Sequence, residues 1–370
     1  MAEILDKIKG CMYGGAVGDA LGYPVEFRSA REIFMKYGDE GIHKFELFKD
    51  KAYISDDTQM TLFTANGLLR GYTSLCLNGI MEPWENYVEL AYKDWLMTQE
   101  GQYEYSAEGR NSWLLNYEEF YNNRAPGNTC LSALRLKECG SLSRRINNSK
   151  GCGGVMRVAP IGLYLPKHLD SLEEVALTGA KIAAITHTHP LGYIPAAALA
   201  HIIAKCATTD ESLDEVVKDA INVTEDLFRD EKHIGEFSDI MKRAMELAMS
   251  DEDDLTAIKA LGEGWVAEET LAISVYCALK YQNDFVKGVV AAVNHDGDSD
   301  STGAVTGNIL GAYLGIDGIP SEFITPLELK DVIEELSNDM YEDCRMSEYD
   351  SYRDEKWLQK YVSGQYCGRD

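Results

Sequence analysis

The chain has 370 residues, 45% of them apolar and 26% charged, and its 61 acidic against 35 basic side chains give a formal charge of −26. That is enough apolar material for a substantial core, and so acidic a field argues against nucleic acid or membrane as a partner. Nine cysteines, odd in number and without a Cys-x-x-Cys pair, argue against a zinc ribbon or a disulfide framework and for reduced thiols in a cytoplasmic protein.

Met1 to Lys9 is charged and helical in pattern and lacks the apolar region of a signal peptide. Ile4, Ile8, Met12 and Val17 begin an apolar helix face that runs into Gly14-Gly15-Ala16-Val17-Gly18-Asp19-Ala20-Leu21-Gly22. Residues this small predict tight helix packing, and Asp19 among them would be costly to bury unpaired. Pro24 breaks the helix and leaves Glu26 on the loop beyond it. Residues 28–51 read as irregular, with a possible edge element from Gly41 to Phe48. Ser55-Asp56-Asp57-Thr58 is an acidic turn opening a helix that runs to Gly71. Pro83 to Gln99 is another, with Trp84, Tyr87, Leu90, Ala91 and Trp95 at helical spacing as a core stripe. Glu100 to Asn123, polar and rich in Tyr and Asn, reads as a long surface loop. The turn Arg124-Ala125-Pro126-Gly127-Asn128-Thr129 caps a helix to about Glu138.

The middle of the chain holds a glycine-rich loop, Asn148-Ser149-Lys150-Gly151-Cys152-Gly153-Gly154, followed by Arg157. Its backbone N–H groups could form a nest for a phosphate or pyrophosphate, although it matches neither the Walker A nor the Rossmann fingerprint. Lys150 and Arg157 would add positive charge there, unless Arg157 pairs with a buried acid. Helices follow at 159–164, 172–186, 195–207, 213–228, 237–249 and 268–281, with an acidic loop over Asp251 to Asp254. The apolar stretch from Ile182 to Ala204 contains three His and two Pro, so it is not read as a membrane span. His187 is assigned a hydrogen-bonding role. Gly303, Gly307, Gly311 and Gly315 form one glycine edge of a helix, against which another helix packs closely. The pattern predicts an all-α protein of about ten helices in one compact domain over 1–341. The charged, aromatic tail over 342–370 is left unplaced.

The densest chemistry lies in His295-Asp296-Gly297-Asp298-Ser299-Asp300-Ser301-Thr302-Gly303. Carboxylates at this spacing repel one another unless a cation neutralises them, and no Lys or Arg lies between Lys287 and Lys330. A solvated turn with Asp and Ser as helix caps is the plain alternative. A second acidic turn at 55–58 favours a metal: if the two turns meet, four carboxylates and two hydroxyls converge. That suffices for two Mg²⁺ ions, with Mn²⁺ equally suited to the oxygens.

Five blocks in order carry a resemblance. They are Gly18-Asp19-Ala20-Leu21-Gly22 with Glu26, Ser55-Asp56-Asp57-Thr58, Asn148 to Arg157, Thr186-His187 through Gly192-Tyr193, and Gly297 to Gly303. Together they resemble the ADP-ribosylglycohydrolase family. The resemblance implies an all-α domain with a binuclear Mg²⁺ (or Mn²⁺) centre, with Ser55, Asp56, Asp57, Asp298, Asp300 and Ser301 as ligands. It implies Glu26 beside the metals on a mobile loop, the 148–154 loop on the pyrophosphate of ADP-ribose, and His187 on the ligand. Asp57, Glu26 and Asp300 are the catalytic candidates. The implied partners are ADP-ribose and an ADP-ribosylated protein. The 124–127 turn and the 298–302 block resemble the arginine-directed branch. Three alternatives stay open: a non-catalytic ADP-ribose-binding protein, an immunity protein against an ADP-ribosylating toxin, and a metal-dependent nucleotide diphosphate phosphohydrolase.

Overall fold

In a computed structural model that describes residues 2–101 and 111–368, helices follow one another and no strand is present among the described residues. The first half supplies α1 (Ala2–Gly22), α2 (Ala30–Tyr37), α3 (Asp56–Asn78), α4 (Trp84–Glu100), α5 (Asn128–Leu134), α6 (Ala159–Tyr164) and α7 (Leu172–Ala184). Then come α8 (Pro190–Thr208), α9 (Leu213–Leu227), α10 (Ile234–Ala248), α11 (Asp254–Leu261), α12 (Ala267–Lys280) and α13 (Phe285–Val293). The chain ends with α14 (Ser299–Leu314), α15 (Ser321–Ile324), α16 (Lys330–Glu342) and α17 (Glu355–Tyr361). Their shared interior is one apolar cluster reaching from Ile8 to Tyr361.

Two glycine edges fix the centre of this bundle. Gly10, Gly14 and Gly18 of α1 lie against Gly311, Gly307 and Gly303 of α14, so the helices run antiparallel. A Cβ on Gly14 would stand 2.2 Å from the Gly307 carbonyl oxygen, and one on Gly307 would stand 1.9 Å from that of Gly14. Any side chain here would push the backbones apart. The four-residue spacing seen in both sequences is thus one interlocked contact. Its consequence is positional: the C-terminal end of α1 is pinned beside the N-terminal end of α14.

Several sequence expectations change. Gly41 to Phe48 forms no strand. The Asn294 side chain satisfies the backbone of Ile42 on both sides, accepting from its N–H (2.7 Å) and donating to its carbonyl (2.9 Å), and Phe48 pairs only with Lys51 across a tight turn. The helix opening at Asp56 runs on to Asn78, where Gly79 stops it in the left-handed conformation (φ +65°). Asp254 belongs to α11, which Asp253 caps, so the acidic loop is also a helix start.

The supposed surface loop over 100–123 is mostly interior where it is described. Trp113, Leu114, Leu115 and Phe120 are fully buried in two short 3-10 turns; residues 102–110 lie outside the described residues. The tail covers this segment. Asn116 donates to the carbonyls of Gly364 and Tyr366, and Trp357 of α17 donates through its indole N–H to Thr73 of α3 (2.8 Å). One helix, α8, is long and apolar enough to cross a membrane, but nearly all of it is buried among its neighbours.

Candidate active site

Both acidic turns sit at helix N-termini. The Ser55 hydroxyl caps α3 by accepting from the Asp57 N–H (3.2 Å), which places Asp56 and Asp57 in its first turn. Asp298 caps α14, accepting from the Ser301 N–H, and Asp300 follows in that first turn. Gly297 makes this possible. Its φ of +124° turns the chain so that the Asp298 N–H reaches the Glu263 carbonyl (2.8 Å), and a Cβ would collide with that carbonyl. Asp296 turns the other way, accepting from the Ala30 N–H at the start of α2 (2.8 Å). His295 is held between the Asp296 carbonyl and the Thr302 hydroxyl.

The glycine contact carries α1 into the same place. Asp19 is fully buried and not unpaired: it accepts from the backbone N–H groups of Ser55 (2.9 Å) and Thr58 (3.1 Å) and from the Thr58 hydroxyl. It ties α1 to the acidic end of α3. Beyond the single turn at Tyr23–Val25, Glu26 folds inward, and its carboxylate lies with those of Asp298 and Asp300 so that one oxygen from each falls within 4.8 Å of the others. Gly127 of the 124–127 turn donates to Asp56 (3.3 Å). Arg124 itself is spent elsewhere, on Glu328 (3.0 Å) and over the Tyr53 ring.

Asp19, Glu26, Asp56, Asp57, Asp298 and Asp300 are all buried, and none forms an ion pair with a described residue. Among the described residues, Glu26 Oε2 and Asp57 Oδ2 have no hydrogen-bond partner. Burial pushes each carboxyl up from its ordinary range, and mutual repulsion adds to it. Asp19 rises to about 7 and Glu26 to about 11, and Asp56, Asp57 and Asp298 rise well above the usual value. Asp300 is raised by burial, against hydrogen bonds that lower it. The positive ends of α3 and α14 offset only a fraction of this charge. Convergent carboxylate oxygens, two of them orphaned and none facing a cation, are the donor set of a hard divalent ion. The residues therefore fit the expected metal.

A cleft of about 620 Å³ opens onto them. Glu26, Asp56, Asp57, Asp298, Asp300 and Ser301 line it together with Gly151, Cys152, Gly153 and His187. A larger cavity of about 950 Å³, bounded by α13 and residues 43–47, is mostly apolar and holds no comparable cluster of carboxylates, so the chemistry belongs to the smaller space.

Other expected residues stand behind the wall. Ser55 is fully buried beneath the carboxylates. Asn148 is exposed and accepts from Arg145 (2.6 Å), Ser149 contacts the Thr129 hydroxyl (3.1 Å), and the Lys150 ammonium donates to Glu268. Gly154 gives α8 its close approach: a Cβ there would meet the Gly192 carbonyl at 2.6 Å. Arg157 is fully buried and pairs with no acid among the described residues, contrary to the alternative drawn from sequence.

The sequence reading missed the cleft's aromatic rim. Phe27 and Trp265 stack with ring centroids 5.8 Å apart and planes 19° from parallel. Phe27 follows Glu26 directly, which is a signal of a kind. Trp265 lies in a loop with no motif. Its carbonyl accepts from Cys152 N–H (3.2 Å), so it reaches the site only through tertiary contact.

A family model described as ADP-ribosylglycohydrolase matches residues 1–350. The ADP-ribosyl-[dinitrogen reductase] glycohydrolase of Rhodospirillum rubrum is 26% identical, over 89% of this chain and 92% of its own. The ADP-ribosylarginine hydrolase Tri1 of Pseudomonas putida is 23% identical, over 92% of this chain and 79% of its own. A solved structure described as an ADP-ribosylglycohydrolase-related protein complex shares the fold. Its TM-score is 0.58 at 24% identity, covering 92% of this chain and 99% of that one.

Proposed function

We propose, because this chain belongs to the ADP-ribosylglycohydrolase family, that it is a cytoplasmic metal-dependent hydrolase that removes ADP-ribose from modified protein side chains, with ADP-ribosylarginine as the substrate. The observation that carries this reading is the cluster of buried carboxylates, unpaired with any cation among the described residues, that lines one cleft with a glycine loop and a histidine. Asp56, Asp57, Asp298 and Asp300 would hold two Mg²⁺ or Mn²⁺ ions, with Ser55 and Ser301 beside them. When bound, such ions polarise hydroxyl oxygens and lower the pKa of water.

The chain's own residues divide the remaining work. The glycosidic bond from the distal ribose to the side-chain nitrogen breaks through an oxocarbenium-like state, and a basic guanidine must leave as a protonated group. Glu26 and Asp57 carry the unpartnered oxygens, so they are the two groups free to exchange a proton with water or with the leaving nitrogen. One of the two would protonate the leaving nitrogen and the other would activate the water. The backbone at 151–153 and His187 would hold the diphosphate. Substrate choice rests on the 124–127 turn against Asp56 and on the similarity to an ADP-ribosylarginine hydrolase.

The test is release of free ADP-ribose from a protein mono-ADP-ribosylated on arginine, with and without Mg²⁺, beside a serine-modified control. Metal-dependent release from arginine alone is the expected result. Release from serine alone would overturn the substrate, and release of AMP would overturn the reaction.

A further inference from the structure

Arg157 is the anomaly of this interior. A fully buried guanidinium ordinarily faces a carboxylate, because an unpaired buried charge is expensive. Here five acidic side chains line the nearby cleft, yet Arg157 addresses none of them. It lies over the face of Tyr92, with the guanidinium carbon 4.2 Å from the ring centroid, and touches the sulfurs of Met60 and Cys130 at 3.4 Å. Among the described residues its one oxygen partner is the Thr186 hydroxyl, at 2.7 Å. That hydroxyl in turn lies 2.8 Å from Nδ1 of His187. The far edge of the same ring forms part of the cleft wall: a Cβ on Gly151 would lie 3.4 Å from His187 Nε2, and one on Gly153 would lie 3.0 Å from the adjoining ring carbon. Among the described residues, Nε2 has no hydrogen-bond partner.

The direction of the hydrogens follows from what each group can do. Arginine only donates, so Thr186 Oγ1 accepts from it. The threonine's one hydrogen can then go to His187 Nδ1, giving a head-to-tail chain in which each bond strengthens the next. The opposite arrangement would aim two donors at one oxygen and turn the positive edge of the imidazole toward a guanidinium. We propose that Arg157, acting through Thr186, is a positioning residue that fixes His187 as the Nε2–H tautomer, presenting one hydrogen-bond donor to an anionic oxygen of the bound ligand. Burial and the neighbouring guanidinium also hold the ring neutral, pushing it down to about 3, so the donor persists across the physiological range. The ligand oxygen in question is a diphosphate oxygen if the reading given under Proposed function holds. The tautomer itself does not depend on that reading.

The experiment separates the two. Ring nitrogens of ¹⁵N-histidine-labelled protein are observed by NMR in wild type, Thr186→Val and Thr186→Ser, with His187→Gln used to assign the signal. Binding of ADP-ribose to each is measured by calorimetry. Wild type and Thr186→Ser are expected to show Nδ1 bare and Nε2 protonated. Thr186→Val, nearly equal in shape, should lose this preference and bind ADP-ribose roughly tenfold more weakly, as for loss of one hydrogen bond to a charged group. In turnover the loss should fall on KM more than on kcat, and Thr186→Ser should restore both. A protonated Nδ1 in wild type, or an unchanged tautomer in Thr186→Val, would overturn the proposal. Absence of ADP-ribose binding in wild type, with the expected tautomer present, would overturn the functional reading and leave the positioning role standing. Arg157→Met serves as a second disruption of the same chain, and circular dichroism confirms that each variant is folded.

Discussion

Two of the places where this molecule buries carboxylates are built on opposite rules. Under the C-terminal tail, Asp339 of α16 meets the Lys360 ammonium (2.5 Å) and the Tyr361 hydroxyl, and Lys360, only 2% exposed, is shared with Glu335 (2.8 Å). In the cleft, six acids are buried and their neighbours are backbone N–H groups, hydroxyls and one another. Where burial fastens the tail to α16, the chain supplies the cation itself. Where it supplies none, the vacancy in the charge balance is what a ligand fills. A buried acid by itself says little, then; the identity of its partner separates a strut from a site.

Removing charge from each region should give opposite signatures. Asp300→Ala is expected to lower turnover by at least about a thousandfold, since divalent catalysis supplies several kcal/mol. The same change should leave the metal-free protein as stable as wild type or more so, because one repelling charge is gone. Steady-state kinetics and thermal melts in chelator check both halves, and full activity would sink the assignment. Lys360→Met should do the reverse. Stranding Asp339 costs about 3–5 kcal/mol of stability, read by denaturant titration, while kcat for the folded enzyme stays near wild type.

The pH dependence sharpens the contrast. In the cleft the folded-state values lie above the unfolded ones, near 4 for Asp and Glu, so the folded protein holds protons that the unfolded chain releases. This contribution is present in full below about pH 4 and is lost as pH rises through about 7 for Asp19 and toward about 11 for Glu26. The metal-free protein should therefore melt lower at pH 8.5 than at pH 6. Mg²⁺ or Mn²⁺, competing with those protons, should raise the melting temperature more at pH 8.5. At a hundredfold excess over Kd the gain is about 2.7 kcal/mol. An equal metal-induced shift at both pH values would refute the coupling. Gly307→Ala gives the smallest effect, about 1–3 kcal/mol. It acts on the scaffold, yet by prising α14 from α1 it should also weaken the metal response, which separates it from Lys360→Met.

Much of this was legible in the order of residues. The 3.6-residue periodicity gave most of the long helices, because an amphipathic stripe has one stable use in a chain of this length. The four-residue glycine spacing of the fourteenth helix and the small residues of the first announced close helix packing, and the two acidic turns announced a charge problem. Short-range caps were partly readable too: Ser55 before two aspartates at a helix start suits a cap as well as a ligand oxygen. Segments with mixed signals misled. Residues 100–123 read as polar, yet Trp113 is interior against Tyr366 of the tail, more than two hundred residues later, and Phe120 against Phe63 of α3.

What sequence alone determined was the inventory: helices, a glycine edge on each of two of them, a surplus of carboxylates and a glycine loop without a Lys-Ser phosphate motif. Which of those groups meet was decided only in three dimensions. Glycine-to-glycine contact between α1 and α14 is what brings Asp19 and Glu26 to Asp298 and Asp300, and hydrogen bonds from Ser55 and Thr58 bring α3 to the same point. Spacing along the chain carries no information about partners some three hundred residues apart. Lys150 and Arg157, alike as nearby positive charges, part for the same reason: one donates to Glu268, while the other is sealed inside and donates to the Thr186 hydroxyl.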